Sequence, residues 1–333
     1  MKSLKKILIV RFSSIGDIVL TTPVIRCLQL QLGAEIHFLC KKVFSEVISA
    51  NPYISKIYTI QKEITEILPQ LKKENYDCII DLHKNIRTAR LKLALKKTSY
   101  TFDKINLEKW LKVRFKIDRL PQLHIVDRYL AAVQTLGVKN DHQGLDYFIP
   151  QESVITKEQL QKRFPKHSNI LSNYLAFVIG AAHTTKRIPN KKIIAICQKI
   201  NQPIILIGGK SEVKDGDHIA VTSGTHVLNA CGQFSISESA SIIQQAYKVI
   251  TPDTGMMHIA AAFGKEIISI WGNTIPEFGM YPYLPKTGKN TSFEVTTSLS
   301  CRPCSKIGFS KCPKGHFRCM EQQDVKTIIE AIL

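Results

Sequence analysis

Asp253, Thr254 and Gly255 follow a short, mostly apolar run, Tyr247 to Ile250, and precede the small-residue stretch Met256 to Ala262. This order predicts a buried strand end, a tight turn and a helix that stops at Gly264. The first backbone N–H groups of such a helix lack partners, and the positive end of its dipole favours an anion. Thr254 adds a hydroxyl, and Gly255 lets a phosphate come close to the backbone. An aspartate beside a phosphate site suits the hydroxyl groups of a ligand. Read alone, Asp253 is also an ordinary helix cap.

Three other polar loops sit where strands are expected to end, the place at which open α/β sheets bind ligands. In Ser13-Ser14-Ile15-Gly16-Asp17, the carboxylate of Asp17 opens a helix and is a candidate general base; a helix cap is the plain alternative. The stretch Gly180 to Pro189 mixes small residues with Thr184, Thr185, Lys186 and Arg187, a set suited to phosphate oxygens. In Gly208-Gly209-Lys210-Ser211-Glu212 the glycines permit close backbone approach, and Glu212 is placed to accept both hydroxyls of a ribose. There is no Walker loop and no G-x-G-x-x-G, which disfavours a P-loop enzyme or a dehydrogenase. Asp215-Gly216-Asp217 is a literal D-x-D, but it lies in a charged polar segment, which argues against a metal there.

The elements that must position these loops alternate strand and helix. Lys6 to Arg11, Glu35 to Cys40 and Asp77 to Leu82 read as strands, with a helix from Ile18 to Leu32 closed by Gly33. The polar segment from Gln151 to Asn173 reads as a linker containing a short helix. The series then restarts with strands at Tyr174 to Gly180, Pro203 to Gly209, Val227 to Asn229, Lys248 to Ile250 and Glu266 to Trp271. Two Rossmann-like parallel-sheet domains, residues 1–160 and 161–333, with a cleft between them are the expected architecture.

Composition agrees with a globular chain of that size: 333 residues, 44% of them hydrophobic. No apolar run is long enough to span a bilayer, and Ile7 to Val10 is too short for the core of a signal peptide. A cytoplasmic chain is expected, and its nine cysteines read as thiols or metal ligands rather than disulfides. The net charge of +19 calls for an acidic partner: nucleic acid, an anionic membrane surface or a phosphorylated substrate. Many of the cations fall between Lys84 and Arg119, where a solvated helical face is the plain alternative.

Taken together, Arg11 to Pro23, Lys186-Arg187-Ile188-Pro189, Ile207-Gly208-Gly209, Pro252 to His258 and Trp271 to Pro276 resemble glycosyltransferase family 9, the lipopolysaccharide heptosyltransferases. The resemblance covers nearly the whole chain. It implies a GT-B fold, an ADP-heptose donor, and inversion at the anomeric carbon with no catalytic metal. It places Asp17 on the general base and Lys186 on the phosphate-contacting lysine. Thr184, Thr185, Gly208 and Gly209 fall in the donor loops, Glu212 on the ribose contact and Phe234 on the residue packed against adenine. Asp253, Thr254, Gly255 and His258 match sugar and pyrophosphate contacts. The implied acceptor is the acidic inner core of a lipid A precursor at the cytoplasmic face of the inner membrane, with the protein peripheral there. Ser14, Gly16, Lys84, Arg87 and Arg90 are the expected acceptor contacts, arginine being suited to carboxylates and phosphates. The remaining cations up to Arg119 are expected to attract anionic lipid.

The chain departs from the family pattern in two places. Ile188 stands where tryptophan is frequent, and a cysteine-bearing tail occurs in only part of the family. Cys301, Cys304, Cys312 and Cys319 have spacing compatible with a structural zinc, His316 being a competing ligand; free thiols are the alternative. Two rival functions are a GT-B sugar-nucleotide epimerase and a basic nucleic-acid-binding protein. The cations are not interleaved with stacking aromatics, which weighs against nucleic acid.

Overall fold

The computed structural model describes residues 4–165, 173–285, 288–295 and 297–333. The chain forms two compact units, one of residues 1–105 with 123–148, the other of residues 106–122 with 149–333.

The first unit holds a five-stranded sheet: β1 (Lys6–Val10), β2 (Glu35–Lys41), β3 (Lys56–Ile60), β4 (Cys78–Asp81) and β5 (Thr98–Thr101), in the order β3-β2-β1-β4-β5. Every pairing is parallel. The central strand is apolar on both faces, as a sheet covered by helices requires, and Ile7 to Val10 are fully buried. The second unit holds six parallel strands, β6 (Leu175–Val178), β7 (Ile204–Ile207), β8 (Val227–Asn229), β9 (Lys248–Pro252), β10 (Glu266–Trp271) and β11 (Asn290–Glu294), in the order β11-β10-β9-β6-β7-β8.

Strand order decides where loops meet. In the first sheet the order reverses between β1 and β4, so the loops after Val10 and Asp81 leave side by side; these residues are paired in register. In the second sheet it reverses between β6 and β9, bringing the loop that carries Lys186 beside the one that carries Asp253. Such switch points are where open α/β sheets hold ligands.

Two expectations are corrected. The helix expected from Ile18 to Leu32 is two helices, Ile15–Val19 and Thr22–Leu32. Pro23 has no N–H to continue the ladder, and the Thr21 and Thr22 hydroxyls instead donate to the carbonyls of Ile18 (2.6 Å) and Val19 (2.8 Å). Gly33 ends the second helix at φ 63°, a conformation glycine adopts freely. The units divide at 148/149, ahead of the expected 160/161. Residues past 149 already pack on the second unit: the Ile155 N–H donates to Ser241 Oγ (2.9 Å), the Gln245 amide donates to the Ile155 carbonyl (2.7 Å), and Leu160, in helix Lys157–Arg163, is fully buried. The rest of the expected linker, residues 166–172, lies outside the described residues. Residues 106–122 join the second unit through Lys116, whose Nζ donates to the carbonyls of Cys301 (3.2 Å) and Pro303 (2.7 Å).

Candidate active site

In the first unit, Asp17 lies in the third position of helix Ile15–Val19. Its Oδ2 accepts from the Ser14 N–H (3.1 Å) and the Ser14 hydroxyl (2.7 Å), and its Oδ1 pairs with the Arg11 guanidinium. Asp17 therefore caps its own helix and presents a carboxylate that is 20% exposed. The helix-cap reading of this residue is seen directly in these bonds. Arg11 was not assigned a role from sequence. It is 7% exposed and donates also to the carbonyls of Ser13 and Leu82 and to the Tyr129 hydroxyl, so it ties the loop after β1 to the loop after β4. A strand-end arginine directly ahead of an acidic turn was the available signal.

The loop after β4 is organised by Asp81, which is fully buried. Its Oδ1 accepts from the backbone N–H groups of His83 (3.1 Å) and Lys84 (2.7 Å), turning Lys84 into the left-handed region at φ 52°. Its Oδ2 lies 3.0 Å from Lys92 Nζ. Burial, reinforced by Arg11 and Lys104, pushes the His83 imidazole down to about 4. Lys84 reaches Asp103 only at 3.9 Å and Arg87 reaches Glu63 only at 3.9 Å, while Arg90 is exposed. Arg87 and Arg90 are three apart on helix Ile86–Leu95, so both project from adjoining parts of its surface. Of the other expected acceptor contacts, Ser14 is exposed and Gly16 is buried inside its helix.

In the second unit, Asp253 ends the turn after β9, and Thr254 caps helix Gly255–Ala262. The Asp253 carboxylate is 10% exposed; its Oδ2 accepts from the Thr274 hydroxyl (2.7 Å) and pairs with Lys186 Nζ (2.6 Å). One cation, one anion and a helix N-terminus thus share one place, and a phosphate arriving there meets a lysine and the positive end of a helix. In the sequence Thr274 is one residue of the Trp271 to Pro276 loop; only the tertiary fold makes it the Asp253 donor. His258 is 2% exposed within the same helix.

Several expected donor contacts prove to be internal supports. Thr184 is exposed, but Thr185 is 2% exposed and its hydroxyl both donates to the Phe309 carbonyl (3.1 Å) and accepts from the Phe309 N–H (2.8 Å). Thr185 anchors the loop rather than offering a free hydroxyl. Glu212 is 5% exposed; it accepts from the Gly209 N–H (2.8 Å) and the Ser211 hydroxyl, and pairs with Arg187 (2.7 Å). The glycines make room for that carboxylate. A Cβ on Gly180 would lie 2.9 Å from Glu212 Oε2, and one on Gly208 would lie 2.9 Å from Glu212 Cβ. Phe234, past β8, is half-buried beneath the Arg163 guanidinium, 5.8 Å from its ring centre. In the D-x-D segment, Asp215 accepts from Asn190 and Asp217 from Asn229, both at 2.8 Å.

The cysteine tail braces this site. Arg302 donates to the carbonyls of Gly272 (2.7 Å) and Thr274 (3.0 Å), fixing the residue that holds Asp253, and it pairs with Glu294. Cys301, Cys304, Cys312, Cys319 and His316 line one small pocket of about 10 Å³ together with Thr185 and Asn273. Cys301 Sγ lies 3.8 Å from His316 Nε2. Burial and the neighbouring thiols push Cys319 up to about 12 and also raise Cys304. Asn273 is 1% exposed, and neither polar atom of its side chain has a hydrogen-bond partner among the described residues. Among the described residues, no group of three or more His, Cys, Asp or Glu side chains is arranged to hold a metal ion. No helix among them is long and apolar enough to cross a membrane.

Residues 64–308 match the family model described as glycosyltransferase family 9 (heptosyltransferase). Lipopolysaccharide heptosyltransferase 1 of Campylobacter coli is 24% identical over 296 residues, covering 81% of this chain and 84% of the relative. The crystal structure of the glycosyl transferase family 9 from Veillonella parvula superposes with a TM-score of 0.78 at 22% identity, covering 98% of this chain and 96% of that one. The heptosyltransferase WaaC of E. coli, solved with ADP, gives 0.68 at 18% identity with 98% of each chain covered. Two parallel-sheet α/β units and these likenesses bear out the expected GT-B type of fold. The chain belongs to glycosyltransferase family 9 and is a glycosyltransferase.

Proposed function

We propose that this glycosyltransferase moves a heptose, or a closely related sugar, from an ADP-sugar to the inner core of a lipopolysaccharide precursor, with inversion and without a catalytic metal. The Lys186–Asp253 pair at the start of helix Gly255–Ala262 is the observation that carries the reading. It offers a cation and the N-terminal end of a helix to the charge that grows on a departing diphosphate. WaaC of E. coli was solved with ADP and with an ADP-heptose analogue, which supports the same donor class.

The acceptor hydroxyl oxygen forms a bond to the anomeric carbon while the bond from that carbon to the β-phosphate oxygen breaks. Asp17, on the first unit, takes the hydroxyl proton, and ADP leaves with the electron pair. Ser14 and Arg11 hold the carboxylate in one orientation. On the second unit, Lys186 exchanges part of its pairing with Asp253 for the phosphate oxygens. Asp253 is then available to a sugar hydroxyl while Thr274 still holds it. Lys84, Arg87 and Arg90, weakly paired or exposed, supply charge to acidic groups on the acceptor. A structural zinc would be held by the four tail cysteines as thiolates, free thiols being the alternative. They already line one pocket and would have to draw together around the ion.

The deciding experiment follows ADP release from ADP-heptose with and without an inner-core acceptor, with mass analysis of the product. Release that needs the acceptor, and a product heavier by one heptose, are expected. Interconversion of the donor without acceptor would instead establish an epimerase.

A further inference from the structure

Helix Asn106–Phe115 is built inside out. It buries a lysine: Lys109 is 9% exposed and its Nζ sits 5.7 Å from the centre of the Phe278 ring. It turns Leu107, Trp110 and Phe115 outward at 62%, 52% and 54% exposure, and Ile117, just past its end, is 47% exposed. The Trp110 and Phe115 rings meet edge-on at 5.1 Å. Leu107, Trp110 and Arg114 stand at i, i+3 and i+7, so they share one face. The placement is specified rather than loose. Lys116 Nζ is bound to the carbonyls of Val113, Cys301 and Pro303, and Lys306 Nζ reaches Asn106 Oδ1 at 3.3 Å. In the first unit, helix Ile86–Leu95 repeats the pattern, with Ile86 73% and Leu93 75% exposed on the face that carries exposed Arg90.

A large apolar side chain held in water next to cations points to a partner that is apolar within and anionic at its surface. Residues 106–122 carry five Lys and Arg against two Asp and Glu, in a chain of net charge +19. Nucleic acid would satisfy the cations but leave Leu107 exposed. An anionic bilayer satisfies both: tryptophan favours the headgroup boundary, aliphatic side chains enter the acyl region, and lysine and arginine meet the lipid phosphates. We infer that helix Asn106–Phe115 is a lipid contact that inserts Leu107, Trp110 and Phe115 into the interface of an anionic bilayer. The choice of a lipid surface rests on the proposed lipid-linked acceptor; the exposed face does not.

The chain has two tryptophans, and Trp271 is 1% exposed, so a change in fluorescence on meeting vesicles reads Trp110. The full-length protein is titrated with vesicles of phosphatidylglycerol and phosphatidylcholine, and with phosphatidylcholine alone, in the absence of donor and acceptor. A blue shift with the anionic vesicles, quenching by brominated acyl chains and weakening by salt are expected. The double variant Leu107→Ser, Phe115→Ser should bind these vesicles about tenfold or more weakly, the order expected for removing two inserted apolar side chains. It should keep its Tm and its transfer to a short soluble acceptor. No shift with anionic vesicles overturns the inference. So does a shift that grows with protein concentration alone alongside a doubled mass, which marks a second copy as the occupant. An equal shift with RNA, unaffected by the double variant, overturns it as well. Because no sugar transfer is measured in the titration, a failed transferase reading would leave its outcome unchanged.

Discussion

Asp17→Asn separates the proton-accepting role of this side chain from its packing role. Asparagine keeps the shape, and its amide oxygen can still accept the two Ser14 bonds that Asp17 accepts at 3.1 and 2.7 Å. It cannot take a proton from an acceptor hydroxyl. Loss of a general base lowers turnover by roughly 10²–10⁴, or about 3–5 kcal/mol of activation free energy at 1.36 kcal/mol per tenfold. Stability should fall less. Arg11 is 7% exposed and loses its carboxylate, yet it keeps the Ser13, Leu82 and Tyr129 acceptors. Breaking a fully buried pair costs about 3–5 kcal/mol. Here the Asp17 end is 20% exposed and water reaches it, so about 1–2 kcal/mol is expected after screening. That corresponds to a fall in Tm of roughly 2–8 °C for a unit of this size. The donor loops belong to the other unit, so ADP affinity should stay within about twofold. Continuous ADP release, calorimetric ADP binding and a thermal scan on one preparation read the three effects separately. Near-normal turnover by a folded Asp17→Asn protein would refute the base assignment. Equal losses of turnover and ADP affinity would show that Asp17 acts through the fold.

Lys186→Ala should weaken ADP binding and lower kcat together, because its charge is needed most as the diphosphate leaves; EDTA should leave the wild-type rate unchanged, and chelation that stops a folded enzyme would refute the metal-free chemistry. Arg87→Ala should raise acceptor KM with little change in donor KM, the difference shrinking in high salt; parallel losses for both substrates would mark the position as structural. His83 makes stability pH-dependent: its folded value of about 4 lies below the ordinary value of about 6.5. The unfolded chain therefore binds the proton first, and the contribution, full above about 6.5, is lost as pH falls toward 4. Tm should decline across that window in the wild type and decline less in His83→Gln; identical slopes would refute it. Elemental analysis should find about one zinc per chain, and chelation should lower Tm through loss of the tail that braces Thr274; a metal-free, fully stable protein with titratable thiols would replace zinc by free cysteines.

Apolar patterning makes the fold class and most central strands legible. Ile7 to Val10, Ile204 to Ile207 and Glu266 to Trp271 are read from runs of apolar residues, and strands buried on both faces must look like that. The sequence also placed Asp17, Lys186 and Asp253 in the segments that follow strands, because turn chemistry is local. Three of the four edge strands, β3, β5 and β11, escaped it, while the fourth, β8, is legible as Val227 to Asn229. β5 and β11 are mostly polar and partly exposed, β3 buries only Tyr58 and Ile60, and pairing with β4, β10 and β2 makes them strands. Tertiary structure alone decided which polar groups meet: Arg11 with Asp17, Lys186 with Asp253 and Thr274, Glu212 with Arg187, and Thr185 with Phe309. It also decided that helix Asn106–Phe115 buries Lys109 and exposes Trp110. Burial of apolar runs follows a local period that a reader can count. The partner of a buried charge depends on which distant loops the strand order brings together, and no local pattern encodes that order.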